Sequence, residues 1–78
     1  MNSKQKKVLQ TIKEFASHIE TLDTDDNITN GYIYVYVTGL VVTYNEDNIH
    51  TITEEEIKKI NNLAKRIEWM PSWKHNVS

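Results

Sequence analysis

Residues 32–44 read Tyr-Ile-Tyr-Val-Tyr-Val-Thr-Gly-Leu-Val-Val-Thr-Tyr, and everything else in the chain is arranged around them. β-Branched and aromatic residues alternate on both sides of Thr38-Gly39, the pattern of a β-hairpin. With Thr38 and Gly39 as the two turn residues, Val37 faces Leu40, Val35 faces Val42 and Ile33 faces Tyr44, so six apolar side chains share one face. The other face then carries Tyr32, Tyr34 and Tyr36 opposite Asn45, Thr43 and Val41. A solvated sheet would show Lys, Glu, Ser or Thr there. A stripe of three phenols points instead to a covered surface.

Working outward, Val8, Leu9, Ile12, Phe15, Ala16, Ile19 and Leu22 recur at helical spacing, which predicts a helix from Ser3 to Leu22. Lys4, Lys6 and Lys7 crowd its amino end, where the helix dipole favours anions. Asp23 to Gly31 reads as a loop closed by an Asn30-Gly31 turn. Asp23, Asp25 and Asn27 match the first three ligand positions of an EF-hand loop. Ile28 stands where the sharp turn needs Gly, however, and Tyr34 where a bidentate Glu is required, so calcium is not expected.

Beyond the hairpin, Ile49-His50-Thr51-Ile52 suggests a short third strand. Thr53 as N-cap, Glu56 three residues on, and Ile52 placed against Ile57 mark the start of a second helix. Ile57, Ile60, Leu63, Ala64, Ile67 and Met70 form its apolar stripe, and Pro71 stops it. The expected fold is therefore α+β: a two-layer αβ(β)βα domain with an antiparallel hairpin, or three-stranded meander, packed on two amphipathic helices. Residues 71–78 read as a tail that either folds back or hangs free.

A chain of 78 residues is one domain. It buries only about 60% of the surface its unfolded form exposes, so its core is thin. Without cysteine it has neither disulfides nor thiolate zinc sites. No apolar run approaches membrane length, so a soluble cytoplasmic protein is expected, in the host's cytoplasm if it is viral. Asn, Ile and Lys usage suits a small accessory protein of a low-GC bacterium or its phage.

Charge is unevenly placed. Residues 1–13 hold four Lys and no acid, residues 14–56 hold ten Asp or Glu and no Lys or Arg, and residues 57–78 hold five Lys or Arg and one acid. Such blocks bear on partner choice. Two antiparallel helices would gather the basic ends into one pole, whereas parallel helices would scatter them.

Catalytic machinery is not expected. His18, His50 and His75 lack ligand spacing, no serine sits on a strained turn, and both glycines are absorbed by turns. Glu54, Glu55 and Glu56 are explained by capping. No cofactor or metal is implied. The sequence points to a protein-binding module, an inhibitor or adaptor, acting through Tyr32, Tyr34, Tyr36, Val41 and Thr43, with Trp69 and Trp73 as further anchors. A second copy is the favoured partner, and a different protein is the other. The alternative is nucleic-acid binding by Lys4, Lys6, Lys7, Lys13, Lys65, Arg66 and Lys74. Glu54 to Glu56 stand where a double-stranded-RNA-binding domain would place basic residues, which weighs against it.

Overall fold

Residues 32–44 fit two periodicities, and the chain adopts the helical one. In a computed structural model, which describes residues 3–21 and 28–75, the order is α1 (Ser3–Thr21), α2 (Ile28–Thr43), a 3₁₀ turn (Ile49–Thr51), α3 (Glu54–Arg66) and α4 (Ser72–His75). No strand occurs among the described residues, so the α+β expectation, hairpin and meander alike, is corrected to an all-helical fold.

The burial pattern shows why. Ile33, Val37 and Leu40 are buried, with Tyr36, Val41 and Tyr44 packed beside them. Positions 33, 36, 37, 40, 41 and 44 form one stripe at helical spacing. The hairpin reading placed Val35 and Val42 inside; they are 69% and 87% exposed. Thr38 and Gly39 are not a turn but mid-helix residues, and the Thr38 hydroxyl donates to the Tyr34 carbonyl at 2.7 Å, as helical threonines do. Asn30-Gly31 likewise lies inside α2.

The described part of α1 matches its expected start; Leu22 and the acidic run Asp23 to Asn27 lie outside the described residues. Leu9, Ile12, Phe15, Ala16 and Ile19 are its core contribution. α2 packs along α1, and its end is tied off by two asparagines. Asn48 Nδ2 donates to the Thr43 carbonyl at 2.7 Å, and Asn45 N–H donates to Asn48 Oδ1 at 2.6 Å. The segment expected as a third strand is a single 3₁₀ turn that buries Ile49.

α3 begins as its sequence signals. Thr53 Oγ1 accepts from Glu56 N–H at 3.1 Å, and Glu56 Oε1 accepts from Thr53 N–H at 3.4 Å, the two halves of a capping box. It ends earlier than expected, at Arg66 rather than at Pro71. Glu68 sits in the left-handed region at φ 55. Its N–H reaches the Lys65 carbonyl while Trp69 N–H reaches the Ala64 carbonyl, a Schellman closure built without glycine. Met70, expected in the buried stripe, is half-exposed.

Lys4 of α1 lies 3.6 Å from Glu54 at the start of α3, and Trp69, past the end of α3, stacks on Phe15 of α1. Hence α1 and α3 run the same way. Tyr44 meets Glu56 and Tyr36 meets Lys59, so α2 runs opposite to both. Three helices in up-down-up order enclose Ile12, Phe15, Ile33, Val37, Ile60 and Leu63, and α4 folds back onto α1.

Candidate functional site: the faces of helix α2 and the tryptophan end

Winding the tyrosine stretch into a helix splits the expected stripe. Tyr32 and Tyr36, four residues apart, stack with ring centroids 6.5 Å apart and turn towards α3. Lys59 Nζ stands over both rings, 4.2 Å from the Tyr36 centroid and 5.4 Å from that of Tyr32, a cation–π arrangement. Burial raises the Tyr36 hydroxyl above the ordinary phenol value of 10.0, against the Lys59 charge and with smaller help from Glu56 and Tyr32. Lys59 is itself held above its usual value, first by hydrogen bonding with Tyr32. Tyr36 is therefore half-covered by the protein's own α3.

Tyr34 faces the other way, 38% exposed. With Val35, Thr38 and Val42 it makes the outward face of α2, and Gly31 and Gly39 flank it. A Cβ built on either glycine meets nothing within 4 Å. No charged residue occurs anywhere in α2. Of the other residues expected on this face, Val41 is half-buried against the core and Thr43 is exposed at the helix end. Val35 and Val42 are the members that the strand reading missed, because it assigned them to the interior. A helical wheel of residues 31–44 reveals them.

At the end of α2, the Tyr44 hydroxyl donates to Glu56 Oε1 at 2.8 Å. That bond is the first cause of a raised Tyr44 hydroxyl, with desolvation and the Glu56 charge adding to it. Glu56 thus serves the α3 cap and the α2 terminus together.

Trp69 stacks on Phe15 at 4.8 Å and on His18 at 5.8 Å, so it closes one end of the core. Trp73 donates its indole N–H to Thr11 Oγ1 at 2.8 Å, while the Thr11 hydroxyl donates to the Lys7 carbonyl at 2.7 Å. Glu14 secures the same segment, accepting from Ser72 N–H at 2.8 Å and from the Ser72 hydroxyl at 2.7 Å. The expected tail is therefore docked through residues 71–75.

The basic residues are distributed over several places. Lys7 and Lys74 flank the Trp73 ring at 5.1 Å and 5.5 Å, and Lys4 pairs with Glu54. Lys6 and Lys13 border a hollow with Leu9, Glu14 and Glu46, whereas Lys65 and Arg66 border another with Asn62 and Leu63. The parallel course of α1 and α3 separates the groups that an antiparallel pair would have joined. Among the described residues no group of three or more His, Asp or Glu is placed to hold a metal, and no helix is long and apolar enough to cross a membrane.

No family model matches the chain, and neither the curated proteins nor the solved structures contain a match.

Proposed function

We propose that this chain is a non-enzymatic protein-binding module that pairs with a second copy of itself through the outward face of α2. One observation carries the reading: a helix without a single charge turns Tyr34, Val35 and Val42 to the surface, Val42 being 87% exposed. Exposed helix faces of soluble domains are normally charged, and interface cores are depleted of charge and enriched in aromatics. An uncharged face meets its own copy without like-charge repulsion, which a two-fold contact between identical patches requires. Gly31 and Gly39 present no side chain to hold two backbones apart.

A 16-residue helix is about 24 Å long, so the contact is small and association depends on concentration. Sedimentation velocity over a wide concentration range tests it. The native chain should pass from monomer to dimer, while Val35→Glu combined with Val42→Glu should stay monomeric with an unchanged circular dichroism spectrum. A native chain that is monomeric throughout, or a double variant that still pairs, overturns the proposal.

A further inference from the structure

A second feature, to which α2 contributes no lining residue, is a half-open groove of about 480 Å³ between the first half of α1, α3 and α4. Its walls are Val8, Ile57, Ile60 and the Trp73 ring, and the buried Thr11 hydroxyl at the back is already committed as both donor and acceptor. The interior thus offers an occupant apolar contact. Polar groups stand at the mouth, where Lys4 and Lys7, one helical turn apart, share a face of α1 with Ser3 nearby. Lys7 lies over the Trp73 ring, which Lys74, outside the groove lining, also approaches. Of the acids nearby, Glu14 is held by Ser72, and Glu54 is paired with Lys4 in a solvent-exposed contact of 3.6 Å, which a competing anion can exchange at little cost. A neighbouring hollow shares Lys4, Val8 and Ile57 with the groove and adds Ile49, Ile52, His50 and Glu54. The groove's size falls within the range of small-molecule sites, and an apolar interior with convergent charge at the rim is their usual design.

From this geometry we infer that the groove binds an amphiphilic anion, a single anionic head on an apolar body: the head lies between Lys4 and Lys7 and the body lies on Val8, Ile57, Ile60 and Trp73. This ligand class differs from the partner assigned to α2 and does not depend on it.

Titration of the 78-residue chain with sodium decanoate, below the concentration at which it forms micelles, tests the inference by ¹⁵N–¹H NMR. Saturable shifts are expected at Lys4–Thr11, Ile57–Asn61 and the Trp73 indole N–H. Decanol and decyltrimethylammonium, which share the chain but not the anion, should bind roughly tenfold more weakly, as should decanoate to the combined Lys4→Gln, Lys7→Gln variant, since two exposed ammonium groups then no longer pair with the head. Both lysines are exposed, so that variant should keep the native fold, which its own spectrum verifies. If native protein shows no saturable shifts, if they fall on α2, or if decanol and the double variant match decanoate on the native chain, the inference fails. Decyl phosphate compared with decanoate then identifies the head group preferred.

Discussion

Helices α2 and α3 are made by opposite means. α3 has local support at both ends, with a capping box at Thr53 and Glu56, three acids in its first turn, Lys65 and Arg66 in its last, and a Schellman closure. α2 has none of its charges placed for the helix dipole, since it has no charges, and its interior holds Gly39 among β-branched residues that favour strands. What makes it a helix is a partner: Ile33, Val37 and Leu40 fit against α1 only if the period is 3.6. Local sequence thus writes α3, and tertiary burial selects α2.

This contrast can be broken most forcefully at Ile33. Ile33→Ala removes a fully buried side chain from the core face of α2, at an expected loss of about 2–5 kcal/mol in urea unfolding. In a domain this small, that loss should take much of the helical signal with it; a helical signal and midpoint close to native would show α2 to be locally supported after all. A smaller effect is expected from Thr53→Ala, which deletes the α3 cap at about 1 kcal/mol while leaving α2 in place.

Gly39→Ala sharpens the comparison by sign. In a helix with open space at the Cβ, alanine should stabilise by roughly 0.5–1 kcal/mol, whereas in a two-residue hairpin turn the same change would destabilise. Thermal melts of the two chains decide it. The finest probe is alkaline pH. Because the Tyr44 hydroxyl is raised above 10.0 in the folded chain, the stability it contributes is present below that value and is lost as pH climbs through the folded one. Melting temperatures should fall on the alkaline side of 10, and Tyr44→Phe should flatten that slope, with Tyr36 supplying a remainder.

Helices α1 and α3, though not the all-helical class, were legible in the sequence. The α1 stripe and the α3 start were written in the sequence, because caps and 3.6-residue spacing act over a few neighbours. The α2 stretch satisfied two templates at once: Ile33 and Val37 are apolar at both period two and period four, and Val35 and Val42 tip the count towards a strand. Which template wins depends on α1, a long-range contact that composition does not encode. Of the proposed surface, Tyr34 was legible, whereas Val35 and Val42 were hidden by the same error. The docking of Trp73 on Thr11 was likewise beyond local reading, as was the ending of α3 at Arg66, where a glutamate rather than glycine occupies the left-handed position.

The Trp73–Thr11 and Ser72–Glu14 hydrogen bonds join residues 62 and 58 positions apart. During synthesis the emerging first helix therefore waits for nearly the entire remaining domain before this clasp can shut. One wall of the groove does not exist until then, which ties acquisition of the anion site to the final stage of folding rather than to the formation of α1.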